Sequence, residues 1–395
     1  MTGSPQIEAI DTAAAGLRPQ LPALLSLAAA SCLAVTTEVL PVGLLPAMGD
    51  SFGVTASLTG LLVTLYAAMV ATLAVPLTML TKGFGRKPLL LLTLAGYVVS
   101  NAMVTAAPVF AVVAAGRVVG GITHALFFSL CIGYVPRLVG RAHVGRALVI
   151  ATGGASAGFV LGVPLSTSLG TAVGWRLSFA VLACAAVTIL LLVARILPSV
   201  PGEHPEGTGS GRRLELAAVV TSNVLTYLGQ FTLYTFISLL FLTSGLRPAL
   251  VGPLLLVCGA CGFVGLCCTA KSLDRNPRMT AVVVLSIVIL GLLLLGSTQP
   301  ALGWVLVAAA LWNAAFGGVP SIYQACAVRA RAVSPELAGA WVNATANLGI
   351  GAGAAIGAVT LDIADLSVLP WIAMAFIAAG LGVVLVSRRA FPSRL

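Results

Sequence analysis

Residues 60–91, GLLVTLYAAMVATLAVPLTMLTKGFGRKPLLL, decide the fold, because they align without a gap with residues 252–283, GPLLLVCGACGFVGLCCTAKSLDRNPRMTAVV, at an offset of 192. Gly60 falls on Gly252, Arg86 on Arg278 and Lys82 on Asp274. Each copy is an apolar run long enough to cross a hydrocarbon core, followed by a short basic loop and the start of another run. Crossing ~30 Å takes about 20 helical residues. A related segment recurring once per half of the chain describes two copies of one helical unit.

Working outward, such runs recur along the whole sequence. Hydrophobic residues make up 59% of the chain and charged residues 8%, against about 25% charged in a soluble domain. Twelve helical spans are expected, approximately 22–46, 57–80, 88–107, 109–136, 145–170, 175–197, 214–243, 249–271, 279–297, 301–327, 336–361 and 367–387. The chain divides into an N-terminal tail (1–20), a six-helix half (21–197), a Pro-, Gly- and Ser-rich linker (198–213) and a second six-helix half with a short tail (214–395). Residues 1–20 hold Glu8 and Asp11 and lack the basic stretch of a cleaved leader, so the first span is expected to be retained.

The net charge of +10 sets topology rather than nucleic-acid binding. Of 21 Lys and Arg, all but Arg117, Arg176 and Arg247 lie in or beside the tails and the even-numbered connections. Basic loops stay on the cytoplasmic side, so both termini are expected there, in a bacterial inner membrane. The eight cysteines all fall within expected spans. Cys258 and Cys261 have metal-pair spacing, but no second pair or nearby histidine completes four ligands, and they read as packing residues; no metal is expected. No phosphate-binding glycine loop, His-Glu-x-x-His or Gly-x-Ser-x-Gly is present, so the chain is not expected to be an enzyme.

Glu38 and Arg117 are the two formal charges deep inside apolar runs. Such a charge costs at least ~2.5–3.5 kcal/mol, so it is functional by default. Glu38 lies about eight residues, or ~12 Å, from the outer end of the first span, and Arg117 the same distance along the fourth. The two can therefore meet. A carboxylate held between burial, which favours its neutral form, and a guanidinium, which favours the ionised one, suits proton coupling; a static ion pair joining two helices is the bland alternative. Arg117, Gly121, His124 and Phe128 share one helical stripe, as do Asn223, Tyr227, Gln230 and Tyr234 in the seventh span. With Tyr66 in the second span, Trp312, Asn313 and Phe316 in the tenth and Asn343 and Asn347 in the eleventh, they are expected to line a substrate cavity or to act as interhelical hydrogen-bond glue.

Several motifs carry a family resemblance. The loop Lys82-Gly-Phe-Gly85-Arg86-Lys87 resembles the loop signature of the major facilitator superfamily, with Lys82 in place of its acid, while the second copy keeps Asp274, Arg275 and Arg278. Arg117-Val-Val-Gly120-Gly121 is similar to the family's intramembrane Arg-x-x-x-Gly element. Gly154-x3-Gly158-x3-Gly162-x-Pro164, followed by Gly174-Trp175-Arg176, resembles the antiporter motif of drug:proton exporters. Thr37-Glu38 to Pro46, Tyr66, Trp312 to Gln324 and Asn343 to Asn347 look like the twelve-span branch that exports arabinose and other sugars, purines or chloramphenicol. The resemblance implies an all-helical fold of two six-helix halves rocking about a midplane site. It also implies export of a small molecule in exchange for protons, no other cofactor, and a monomer in the lipid bilayer. A uniporter or importer, or a non-transporting sensor of the same fold, is the alternative. The glycine-rich fifth span is expected to form the moving seam, and Asp274 rather than Lys82 to anchor the cytoplasmic latch.

Overall fold

The computed structural model describes residues 18–139, 144–200, 212–273, 275–333 and 335–391. Among these there is no strand, and twelve helical spans are long and apolar enough to cross a membrane. They are Leu21–Phe52, Ala56–Leu80, Arg86–Ala106, Phe110–Cys131, Gly153–Val173, Trp175–Ile196, Arg213–Thr243, Pro248–Thr269, Pro277–Thr298, Leu302–Arg329, Leu337–Ile363 and Leu366–Val386. An even number of crossings puts the start of the first span, the end of the twelfth and the even-numbered connections on one face, here termed the basic face.

Two spans expected to be continuous are broken. The seventh stops at Tyr234 and restarts at Ile237, and the tenth stops at Phe316 and restarts at Val319. In the tenth, Gly317 and Gly318 precede Pro320, which cannot donate to the carbonyl four residues back. The eighth span also approaches there too closely for side chains: a Cβ on Gly317 would lie 1.9 Å from the Gly262 carbonyl oxygen. The fifth span carries a π-helical turn, Gly158–Gly162, just ahead of Pro164. A wider turn is one way for a helix to accommodate a missing donor.

The first span holds two prolines, Pro41 and Pro46, yet remains one helix. Neither has an N–H, so the carbonyls of Thr37 and Val42 lose their intrahelical donors. In hydrocarbon such groups must find another. Ser238 of the seventh span donates to the Val42 carbonyl at 2.9 Å. This contact crosses between the halves, as do Ser57 to the Asp362 carboxylate at 2.8 Å and Thr64 to the Gly351 carbonyl at 3.1 Å. The close approaches of Gly60 to Phe236 and Gly252 to Ser168 lie at the same level. The halves are thus joined on the face away from the basic loops, and a small cluster of Tyr66, Val70, Ala74 and Ala344 extends the contact between the second and eleventh spans inward.

The Gly154, Gly158 and Gly162 stripe does not face the opposite half, contrary to expectation. It packs on the first span, where added Cβ atoms would lie 1.8 Å from the Ala28 carbonyl oxygen, 2.7 Å from that of Cys32 and 2.0 Å from Thr36 Oγ1. Contact with the eighth span is made from elsewhere on the fifth: Gly259 lies against Val160, and Gly252 against Ser168. Glycines four apart serve here to weld two helices of one half.

Arg176, a cation outside the basic face, has a structural post. Gly174, at φ 109°, turns the chain into the sixth span. Trp175 Nε1 then donates to Ser51 Oγ at 2.8 Å, and the Arg176 guanidinium lies 4.3 Å from the Trp175 ring centroid while donating to the Ala107 carbonyl at 3.1 Å.

Adjacent glycines provide a controlled test of the weld. A Cβ at Gly153 would meet nothing within 4 Å, whereas one at Gly154 would collide with main chain. Gly154→Ala should lower thermal stability in detergent by about 1–3 kcal/mol, the usual cost of overpacking, and Gly153→Ala should leave the melting curve unchanged. Equal melting of both variants would contradict this packing.

Candidate functional site

The first and fourth spans cross at the depth that counting residues predicts, but the charges engage differently from a simple ion pair. Arg117 donates through Nη1 to the Thr37 carbonyl at 2.6 Å, through Nη2 to the Glu38 carbonyl at 2.6 Å and through Nε to the Leu62 carbonyl at 3.3 Å. Its guanidinium also lies 4.2 Å from the Tyr66 ring centroid. Thr37 is the residue whose carbonyl Pro41 leaves without a donor, so the proline on one helix supplies the acceptor for the cation on another. The direct ion pair expected of Arg117 is corrected accordingly: each of its three nitrogens donates to main chain, where charge-assisted bonds are worth about 1.5–3 kcal/mol each.

The Glu38 carboxylate faces His124 instead, with Oε2 3.6 Å from Nε2. Its other oxygen, Oε1, is buried without a hydrogen-bond partner. On the far side of the imidazole, the hydroxyls of Tyr66 and Tyr97 both lie within hydrogen-bond distance of Nδ1, at 2.9 and 3.0 Å. His124 and its tyrosines are 0–1% exposed and Glu38 is 9% exposed, so the carboxylate is where this cluster meets accessible space. His124 and Arg117 therefore point into the N-terminal half, while Phe128, farther along the stripe, is half-buried with its ring 5.0 Å from His124. Gly121 lets the fourth span reach the second, since a Cβ there would lie 2.5 Å from the Tyr66 carbonyl oxygen.

Tyr97 and Asn101 were missed by sequence reasoning. Asn101 Nδ2 donates to Thr37 Oγ1 at 3.2 Å and to the Tyr97 carbonyl at 2.9 Å, tying the third span to the first beside Glu38. A signal existed: Thr93, Tyr97, Ser100 and Asn101 form a polar stripe at helical spacing in an otherwise apolar span, and all four are buried.

In the C-terminal half an aromatic wall forms from the seventh and tenth spans. Tyr227 packs edge-on to Phe316 at 5.4 Å and Tyr234 to Trp312 at 6.0 Å, with Phe231 between the two tyrosines. Trp312 Nε1 donates to Gln230 Oε1 at 2.5 Å, both residues being buried. Tyr227, Tyr234, Asn313 and Phe316 are half-buried, and Tyr227 lies within electrostatic range of Glu38 across the junction of the halves. Asn223 does not belong to this wall. It is fully buried and donates to the Val342 carbonyl and Thr345 Oγ1, both at 2.9 Å, fastening the seventh span to the eleventh. The Asn347 amide is turned back onto Asn343, four residues earlier, and that of Asn313 onto the Ala309 carbonyl.

On the basic face, the Gly85-Arg86-Lys87 loop holds the chain leaving the sixth span. Lys87 Nζ donates to the Leu197 carbonyl at 2.6 Å, the Arg86 amide to that of Val200 at 2.9 Å, and the Tyr134 hydroxyl to that of Pro198. Arg278 acts similarly in the second half, donating to the Leu385 carbonyl at 2.6 Å near the end of the twelfth span. Asp274, the expected latch acid, lies outside the described residues; Arg275 beside it is exposed. Cys258 is buried in the apolar cluster that the second half shares with Val35, Val39 and Val163 of the first.

Comparison with known proteins agrees with this architecture. A sequence profile of the Major Facilitator Superfamily matches residues 27–335. Chloramphenicol efflux pumps from two strains of Mycobacterium tuberculosis are 31% identical over 364 residues, 88% of this chain and 88% of theirs. Among solved structures, a bacterial homologue of the human lysosomal transporter Spinster, inward-facing and unoccupied, superposes with a TM-score of 0.72 at 16% identity, over 95% of this chain and 97% of that one. A D-xylose–proton symporter does so with a TM-score of 0.73 at 15% identity, over 96% and 99%. Sharing the twelve-span fold with these structures and most of its length with the efflux pumps, the chain belongs to the major facilitator superfamily and is a multi-pass membrane transporter.

Proposed function

We propose that this transporter exports a small amphiphilic molecule of the chloramphenicol type in exchange for protons, with the basic face and both termini in the bacterial cytoplasm. The observation that carries the reading is the Glu38 carboxylate, an acid at membrane depth with one oxygen unpartnered and the other facing an ionisable ring. An acid at this depth is costly and by default marks a functional site, proton relays among them. The name shared by the two mycobacterial relatives supports export and the substrate class. In the proposed cycle Glu38 takes a proton from one side and releases it to the other as the halves rock. Arg117 keeps a positive potential beside the carboxylate without ever neutralising it by contact.

The substrate would lie between Glu38 and the half-buried Tyr227, Tyr234 and Phe316, with Trp312 sealed behind them as support. Flat aromatic faces suit a nitroaromatic or other amphiphile, and each buried edge-on pair adds about 0.5–1.5 kcal/mol beyond area burial. With the basic loops in the cytoplasm, the orientation that the positive-inside rule favours, the halves are joined at the outer face and the substrate space opens inward.

Two measurements test the reading. In proteoliposomes, Glu38→Gln should abolish chloramphenicol movement driven by an imposed pH gradient while leaving equilibrium counterflow of labelled chloramphenicol intact, because the amide keeps hydrogen bonding but carries no proton. Gradient-driven transport at the wild-type rate would remove Glu38 from the coupling role. Phe316→Ala, which strips the aromatic wall next to Tyr227, should weaken chloramphenicol binding by about tenfold, the equivalent of ~1.4 kcal/mol, with coupling preserved. Unaltered affinity would place the substrate elsewhere.

A further inference from the structure

We propose that His124 is a second proton-binding group of the transporter, taking the coupling proton from Glu38 and holding it against the tyrosine pair. This inference rests on the reading of Glu38 as the proton carrier, and deepens it. Three geometric facts lead to it. First, the group facing Glu38 Oε2 at ion-pair distance is His124 Nε2, at 3.6 Å. Second, the cation that would balance an ionised Glu38 donates to the Thr37, Glu38 and Leu62 carbonyls rather than to the carboxylate. Third, two hydroxyls converge on Nδ1 from two different helices, an arrangement that fixes the ring and leaves Nε2 as the nitrogen free to exchange a proton with Glu38.

The step is balanced within the cluster. With Nδ1–H donating to Tyr66 or Tyr97 Oη, Nε2 has a lone pair facing Glu38. Once the 3.6 Å gap closes to hydrogen-bond distance, the O–H bond at Glu38 Oε2 breaks and an N–H bond forms at His124 Nε2. A neutral acid and a neutral imidazole become a carboxylate and an imidazolium, with no change in total charge. The ionisable groups that face the ring are Glu38 from the first span, Tyr66 from the second, Tyr97 from the third and Arg117 from its own helix. Tyr227 of the seventh span and Cys131, beside Tyr97, stand one step farther out. The ring stands between Arg117 on its own helix and Glu38 on the first span, so an imidazolium there is balanced by the Glu38 carboxylate. That balance makes the two sites one unit: the ring holds the proton only while Glu38 is ionised. Because His124 is 1% exposed and Glu38 9%, the proton enters and leaves through Glu38 and is withdrawn from the substrate space when stored.

The sequence provides an unusually clean probe. It contains three histidines, His124, His143 and His204, and the latter two lie outside the described residues. In a His143→Gln/His204→Gln background, His124 is the sole source of imidazole nitrogen signals. With histidine labelled with nitrogen-15 and the protein in lipid nanodiscs, an imidazolium signal should grow in as pH falls from about 9 to about 5, the range in which histidine serves as a switch. In Glu38→Gln the same ring should stay neutral at least one pH unit lower. A ring that is neutral throughout this range in the parent, or that titrates identically in Glu38→Gln, overturns the proposal. Independently, His124→Gln should reduce pH-gradient-driven chloramphenicol transport about tenfold or more while counterflow stays within about twofold of the parent. If Glu38→Gln abolishes coupling and His124→Gln does not, the relay fails and Glu38 stands alone. If Glu38→Gln leaves coupling intact, the parent reading fails first.

Discussion

A membrane-buried carbonyl without a donor has to be supplied with one, and two such carbonyls organise this transporter. Pro41 and Pro46 free the acceptors of Thr37 and Val42 on the first span. Arg117 satisfies the first from within the same half, and Ser238 satisfies the second from the other half. One proline thus positions the intramembrane cation, while the other creates a reversible bond across the junction. The difference in strength suits the difference in duty. A charge-assisted bond in a buried site contributes about 1.5–3 kcal/mol, whereas a single hydroxyl to carbonyl contact is a weak tie, about 0.6 kcal/mol on average for intramembrane hydrogen bonds.

The same division runs through the helix contacts. The first and fifth spans are welded by glycines that leave no room for a Cβ, so they move as one body. Contact between the fifth and eighth spans uses Val160 and Ser168 against Gly259 and Gly252, an interface with few polar ties. Between the halves, the second and eleventh spans pack broadly together, and Val35, Val39, Val63 and Val163 share one apolar cluster with the second half; alternating access requires this packing to separate while packing within each half stays firm.

Fixing the guanidinium on main chain changes the electrostatics around Glu38. A cation that paired directly with the carboxylate would hold it ionised and resist protonation. Here the guanidinium is bound to main chain instead, and the carboxylate is not directly paired with it. The cluster of Tyr66, Tyr97 and His124 behind it is the complementary half of the same arrangement. It offers polar company to a carboxylate that is otherwise surrounded by hydrocarbon, and Asn101 and Thr37 brace the helix beside it.

The sequence alone determined the twelve spans, the basic face, the two-fold repeat and the equal depth of Glu38 and Arg117. Each of these follows from local hydrophobic length or from counting residues at 1.5 Å apiece. The breaks at 235–236 and 317–318, the partner of the glycine stripe and the partner of Arg117 were decided only in three dimensions. A helix face does not name its neighbour, and a side chain at a given depth can reach any helix that packs there. Asn223 and Tyr227 illustrate the limit: they lie on one sequence stripe, yet one is sealed between helices and the other stands half-exposed at the junction. Tyr97 illustrates the reverse, a residue whose stripe was readable but whose importance came from meeting His124, 27 positions away in the chain. Helix periodicity fixes which residues share a face, whereas packing between helices sets which faces meet and which stay open, and the site depends on the second.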